Sequence, residues 1–497
     1  MRVRLMYPDR DCDVAARAPD GAHEVMADLG LSPIIAAMGG DDPYLCKVAT
    51  VSLFDAAASV DSIVYRQQGV ADAASNLATV QSAYAIAVAA GEDLRKHVRI
   101  SIGRTSPERF MYRSRSAVEL LSRRLAQLTA LMRDHREKFT SPPFSAFCAY
   151  LADTFDRDYL AAVRRHLDDL EFTQGALISA GLGRGNAPTG YLVRQPHRKA
   201  ISDLVSTDRG YGFRVDRHDP TASELLGDVR GRGLHEVAAT LADAADNLER
   251  FFATVQWELG FHLGAVRLQH TLLELGGAMC WPVPEPRGSM KWRCRGLYDA
   301  GFALRRGGPL VGNDADTGGA ALLMITGANQ GGKSTFLRSI GVAQMMMQAG
   351  LPIAATEFAA GVRSGVHTHF THAEDPSMTK GHLDEELERM SRIIDRLAPG
   401  ALILLDESFA STNEHEATGL AAQIVEALID SGHQLCYVTH MYELARRFYD
   451  AGKGHFIRAQ RCDDESRPFH LVSSGPMETS YGVDLYRAVF GVDLPAS

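Results

Sequence analysis

The chain has 497 residues, a formal net charge of −9, and a composition that is 45% apolar and 23% charged. These proportions exclude a disordered, collagen-like or membrane-embedded body, and the length suits two or three domains. No run approaches the roughly eighteen apolar residues of a membrane span, because residues 343–355 are broken by Gln344, Gln348, Gly350 and Pro352. Residues 1–14 carry no apolar core of signal-peptide length, so a cytoplasmic protein is expected. The seven cysteines are scattered without a C-x-x-C pair, which points to reduced thiols and not to a disulfide framework or zinc ribbon. With a negative whole-molecule field, a polyanionic partner would have to be met by a local basic surface.

In chain order, residues 22–90 place Ala, Leu, Val and Ile at three- and four-residue spacings and read as packed helices. Residues 91–140 keep that period with twelve Lys or Arg against six acids. This is either a solvated helix face with pairs such as Asp134 to Lys138 or a phosphate-contacting surface. Residues 175–195, rich in Gly with β-leaning flanks, read as a small strand-turn-strand insertion. Residues 235–275 follow as a long helix in which Phe252, Leu259, Val266 and Leu273 recur every seven residues. Trp281-Pro282-Val283-Pro284-Glu285-Pro286 stops it. Two domains are expected on either side, residues 1–284 helical and residues 285–497 α/β. The fold class is therefore α plus α/β. Trp257, Trp281 and Trp292 read as packing residues.

Beyond that boundary, apolar runs at 321–326, 366–371, 401–405 and 435–439 alternate with helical patterns, as in a sheet covered by helices. Gly327-Ala328-Asn329-Gln330-Gly331-Gly332-Lys333-Ser334 fits G-x-x-x-x-G-K-[ST] directly after one such run and before a helix. Its backbone N–H groups and the helix N-terminus form an anion nest. Lys333 can reach the β and γ phosphates, and Ser334 can hold Mg²⁺. The run Ala401 to Leu405 ends in Asp406-Glu407, adjacent carboxylates that a cation would compensate. Asp406 would hold Mg²⁺ through water, and Glu407 would orient or deprotonate the attacking water. The run Leu435 to Thr439 delivers His440 to the same sheet edge, where an imidazole can bond the γ-phosphate. Among His367, His369, His372 and His382, no Cys or carboxylate completes a tetrahedral spacing, so a metal site is disfavoured.

Together these residues resemble the MutS family of mismatch-repair ATPases, a branch of the ABC-type P-loop NTPases. The resemblance rests on Thr326 to Thr335, Leu404-Leu405-Asp406-Glu407, Thr439-His440-Met441-Tyr442-Glu443-Leu444, Gly475-Pro476 and Ser480-Tyr481-Gly482-Val483. Tyr65-Arg66-Gln67, near the end of an early helix, is similar to the family's core and lever region. The resemblance implies an N-terminal core/lever region and a C-terminal ABC-type P-loop NTPase domain. It also implies a homodimer that sandwiches ATP and Mg²⁺, with the nucleotide held by Gly327 to Thr335, and a clamp on distorted or branched DNA without membrane involvement.

Differences from the family qualify this. The mismatch-reading domain with its Phe-x-Glu wedge has no counterpart in the sequence. The signature that meets the partner's γ-phosphate becomes Gly381-His382-Leu383-Asp384-Glu385-Glu386, in which Glu386 matches but the serine does not. His382, Ser377 and Thr379 stay open as replacements, as does the absence of any. Phe409 and Ser411 stand where the family has glycines. An RNA- or ribosome-directed ATPase also stays open, since basic helices do not distinguish the polymers. A transporter-energising subunit would need a Gln loop and a Leu-Ser-Gly-Gly-Gln-like signature, and neither is visible.

Overall fold

The computed structural model describes residues 1–55, 59–97, 107–172, 177–186, 188–194, 220–327, 331–371, 382–409, 414–460 and 468–477. The first part is helical: α1 (Ala22–Leu29), α2 (Ser32–Gly39), α3 (Pro43–Phe54), α4 (Val60–Ser75), α5 (Leu77–His97), α6 (Pro107–Asp134), α7 (Pro142–Thr154) and α8 (Arg157–Asp169). An antiparallel pair, β1 (Leu177–Leu182) and β2 (Pro188–Arg194), follows, and then the 55-residue α9 (Pro220–Glu274). Local chemistry sets several starts. Asp42 accepts from Tyr44 N ahead of Pro43, and Asp156 accepts from Tyr159 N, each satisfying an orphan donor of the first turn. Among the described residues no helix is long and apolar enough to cross a membrane.

The long helix α9 packs against α6, α5, α4, α3 and α2. Phe252, Leu259 and Val266 are buried, but Leu273 is 48% exposed. A straight helix drifts about 20° per heptad, so the third repeat has rotated off the contact seam. The expected pair of Asp134 and Lys138 is absent because α6 ends at Asp134, which lies 3.4 Å from Arg133. Several basic residues of this region are engaged within the chain. Arg115 is buried and donates to Leu167 O, Arg124 pairs with Asp93 at 2.7 Å, and Lys96 pairs with Glu92 at 2.9 Å. Arg99 and Arg104 lie outside the described residues. Trp257 and Trp292 are core residues, whereas Trp281 is 37% exposed at the turn leaving α9.

The second part begins with β3 (Val283–Glu285), β4 (Trp292–Leu297), α10 (Ala300–Arg306) and β5 (Asn313–Asp316). It continues through β6 (Leu322–Thr326), α11 (Lys333–Ala349), β7 (Glu357–Gly361), β8 (Val366–Phe370) and α12 (His382–Ile394). It closes with β9 (Leu402–Asp406), α13 (Glu414–Asp430), β10 (Gln434–Val438), α14 (Tyr442–Asp450), β11 (His455–Ala459) and β12 (Leu471–Ser473). The six-stranded sheet has the order β12-β11-β6-β10-β9-β8, parallel except for β12. A four-stranded sheet, β3-β7-β4-β5, lies beside it. The sequence pattern missed β3, β4, β5, β7, β11 and β12. In β4 Trp292, Cys294 and Leu297 are buried while Arg293 and Arg295 face out, which breaks up the apolar run.

The continuous apolar strands sort by alternation into two cores. Leu323, Ile325, Leu402, Leu404, Cys436 and Val438 face a cluster that continues through α11 into the helical part. Their neighbours Leu322, Met324, Ile403, Leu405, Leu435 and Tyr437 face a second cluster with α13 and α14. Burial on both faces is why these strands lack a polar side.

A polar clasp ties the first dozen residues to α9. Glu258, fully buried, accepts from Leu5 N (2.5 Å), Met6 N (3.2 Å) and Cys12 N (2.8 Å). His262 Nε2 lies 3.2 Å from Leu5 O, and Arg66 Nε donates to Met6 O. Tyr65 donates to Arg4 O, and Gln67 donates to Pro282 O, so the triplet Tyr65-Arg66-Gln67 works from the middle of α4 and not near its end. Burial pushes the Glu258 carboxyl up to about 7 despite its three backbone donors. A folded-state pKa raised above the unfolded value gives stability that is complete below about 4.5 and lost as pH rises through about 7. Glu258→Leu should cost about 3 kcal/mol or more, since each orphaned buried donor costs about 1–3 kcal/mol. The advantage of wild type over Glu258→Gln in denaturant unfolding should shrink as pH rises across that window; an advantage that grows would refute the assignment.

Candidate active site

Strand β6 is buried throughout and is followed by Gly327, whose φ of 112° and closeness to Ala459, 2.9 Å from where a Cβ would stand, leave no room for a side chain. Ala328, Asn329 and Gln330 lie outside the described residues. The chain re-enters at Gly331, and Gly332, at φ 86°, caps α11, so that Lys333, Ser334 and Thr335 form its first turn. β10 lies between β6 and β9 in the sheet. The C-terminal ends of these three parallel strands therefore deliver Gly327, His440 and the pair Asp406-Glu407 to one edge, where open parallel sheets place their ligands.

Side chains meet there. Ser334 Oγ donates to Asp406 Oδ1 at 3.0 Å, and Lys333 Nζ donates to Gly327 O at 2.6 Å. His440 Nδ1 stands 3.7 Å from Glu407 Oε1, within ion-pair range. A cavity of about 520 Å³ opens over them, lined by Gly331, Gly332, Lys333, Ser334, Thr335, Asp406 and Glu407. Its other wall carries Phe302, Val311 and Phe469 beside the polar Asp299, Arg306 and Asn313. Asn313, buried on β5, fixes this wall by donating to Phe469 O (3.1 Å) and accepting from Leu471 N (2.7 Å).

The charges are perturbed in the sense a phosphate and cation site requires. Burial pushes Asp406 up to about 6, against the bond from Ser334. The imidazole of His440 holds Glu407 below the ordinary carboxylate range. Burial lowers Lys333, opposed by Glu407 and Asp406. Asp406 and Ser334 offer two oxygens side by side, a donor set that suits a hard divalent cation, and Asp406's raised pKa is the mark of a carboxylate short of positive charge.

Glu386 is the residue that the resemblance puts against a partner's γ-phosphate. It is buried away from the cavity, and its Oε1 accepts from Phe409 N at 3.4 Å. Ser377, Thr379 and Gly381, and the side chain of His382, lie outside the described residues, as do His372, Ser411 and Ser480 to Val483. His369 is buried between Ser408 Oγ (2.7 Å) and Glu386 O (3.0 Å), and the described residues hold no cluster of metal ligands. Sequence reasoning missed Asn313, Phe302, Phe469, Glu258 and His262. Of these, Glu258 and His262 carried a signal, as polar residues one turn apart inside an apolar helical run.

Residues 58–275 match the family model described as MutS2 N-terminal domain, and residues 323–494 match the one described as MutS domain V. The chain belongs to the MutS family. Its relatives include Endonuclease MutS2 of Streptococcus equi subsp. zooepidemicus (strain H70), 26% identical over 63% of this chain and 40% of the relative. Endonuclease MutS2 of Anaeromyxobacter sp. (strain Fw109-5) is 35% identical over 25% of this chain and 16% of the relative. DNA mismatch repair protein MutS of Thermus aquaticus is 29% identical over 33% of this chain and 20% of the relative. The chain thus spans at most 40% of the length of these MutS relatives.

A proton and a cation compete for Asp406. Mg²⁺ should therefore bind more weakly as pH falls through about 6, as read by Mg²⁺ titration of nucleotide binding on either side of that value. Affinity independent of pH there would remove Asp406 from the cation site.

Proposed function

We propose that this MutS-family chain is an ATP hydrolase of the ABC type, with a helical core/lever unit (residues 1–284) carried on a P-loop NTPase unit (residues 285–497). The observation that supports this best is the bond between Ser334 and Asp406 at 3.0 Å, from elements seventy-two residues apart, inside one cavity with Lys333 and Glu407. Residues Gly327 to Thr335 would cradle the triphosphate. Lys333 would exchange its bond to Gly327 O for a phosphate oxygen at little cost, because the carbonyl oxygen it leaves carries only a partial negative charge and the phosphate oxygen a fuller one. Ser334 and Asp406 would hold Mg²⁺, which when bound neutralises phosphate charge. Glu407, kept ionised by His440, would orient the attacking water and take its proton, a contribution typically worth about a hundredfold to ten-thousandfold. His440, about half exposed beside Glu407, would bond the γ-phosphate.

Two copies would close on the nucleotide, and closure would move α9 and the helices packed on it around DNA. Binding through shape and phosphates suits branched or distorted duplexes in repair or recombination. The names of the relatives, DNA mismatch repair protein and endonuclease, support a DNA-directed role for this reading.

Lys333→Ala should abolish ATP hydrolysis, whereas Glu407→Gln should bind ATP and fail to cleave it. Turnover is measured alone and with branched DNA, plain duplex or an RNA hairpin, and branched DNA should stimulate it most. Normal turnover by Glu407→Gln would remove that residue's role, and stimulation by RNA alone would redirect the protein to RNA.

A further inference from the structure

The backbone directly after Glu407 is held in a conformation that L-residues rarely adopt. Glu407 has φ 52° and Phe409 has φ 66°, and neither is glycine. Such conformations cost of order 1–3 kcal/mol each and persist only where surrounding contacts over-determine them. Here those contacts are explicit. Tyr437 donates to Ser408 O at 2.6 Å, and Ser408 Oγ donates to His369 O at 2.8 Å. His369 Nδ1 lies 2.7 Å from Ser408 Oγ, and its ring stacks on Phe409 at 5.3 Å and 21°. Glu386 Oε1 accepts from Phe409 N, and Glu386 O lies 3.0 Å from His369 Nε2. Thr371 Oγ1, with a single O–H to donate, lies 3.1 Å from Asp406 O and 3.0 Å from Glu407 O.

The same lattice reaches the helical part. Asp28 on α1, buried, accepts from Arg389 of α12 at 2.5 Å and from Thr368 of β8 at 2.7 Å. Arg389 also donates to Phe370 O at 2.6 Å. A charged pair that bonds both β8 and α12 fixes the two elements that supply His369 and Glu386, and a buried charge-assisted bond has few alternative geometries.

We infer that Glu386 and His369 are positioning residues, which hold residues 408–409 so that Glu407 points at the attacking water, and that Asp28 couples this orientation to α1 through Arg389 and Thr368. The inference rests on the ATP-hydrolase reading above. It assigns Glu386 a role within its own subunit in place of a contact with a partner's nucleotide. A displacement of about 1 Å in a catalytic group can cost about a hundredfold in rate, whereas phosphate binding depends on the separate loop at Gly327 to Ser334.

The test is steady-state ATP turnover of the full chain, with nucleotide affinity measured on each variant. Glu386→Ala should lower kcat by tenfold or more while ATP affinity stays within about threefold. Glu386→Gln, which keeps an acceptor oxygen for Phe409 N, should restore most of kcat, and this rescue separates backbone positioning from a need for negative charge. Asp28→Asn, at a site that does not line the cavity, should lower kcat with affinity retained. Lys333→Ala run alongside separates the two claims. If wild type turns over ATP, Lys333→Ala does not, and both Glu386→Ala and Asp28→Asn keep the wild-type kcat, the positioning role is wrong while the site stands. Equal losses of kcat and affinity, or no rescue by Gln, also overturn it. No turnover by wild type overturns both.

Discussion

Two adjacent carboxylates at the end of a strand buried on both faces are the constraint around which the rest is arranged. Asp406 loses hydration on β9, and its ionised form is unfavourable there until positive charge or hydrogen bonds replace the water. Ser334 supplies one bond, Lys333 stands close by, and His440 sits against Glu407. Ser334 and Lys333 come from α11 and His440 follows β10, so the carboxylates at the end of β9 are tolerable only when β9, β10 and α11 are in register. Chemistry and folding therefore select the same arrangement.

The helical part is not an appendage to this edge. The cluster on one face of the six-stranded sheet continues through α11 into the helices, and Asp28 brings α1 into bonding contact with β8 and α12. At the opposite end, Glu258 and His262 on α9 fasten the first residues of the chain, and Arg66 and Gln67 on α4 tie that layer to residues 6 and 282. Close-packed interfaces of this kind pass on small shifts as rigid displacements, because their cores do not deform continuously.

Much of the candidate site was legible because its signal is local. A glycine-rich loop between strand and helix, and a paired Asp-Glu after five apolar residues, each name their own neighbours in sequence. The strands β6, β8, β9 and β10 were legible for the same reason, as unbroken apolar runs. What escaped depends on distant pairing. β4 hides its apolar face between arginines, and Phe469 reaches the cavity wall only because Asn313, far earlier in the chain, holds its carbonyl. The within-chain contact of Glu386 with Phe409 N was not legible, because a match to a motif position fixes residue type and not the direction a buried side chain faces. The basic count of residues 91–140 likewise overstated the free positive surface, since Arg115, Arg124 and Lys96 are engaged by acids or carbonyls within the chain.

The claim on which the account turns is that a triphosphate occupies the cavity over Lys333 and Ser334. Calorimetric titration of the full chain with ATP, in the presence and absence of Mg²⁺, measures this directly. The account predicts one ATP per chain with affinity that depends on Mg²⁺ and is lost in Lys333→Ala. Absence of binding, or binding unaffected by that substitution, would contradict it.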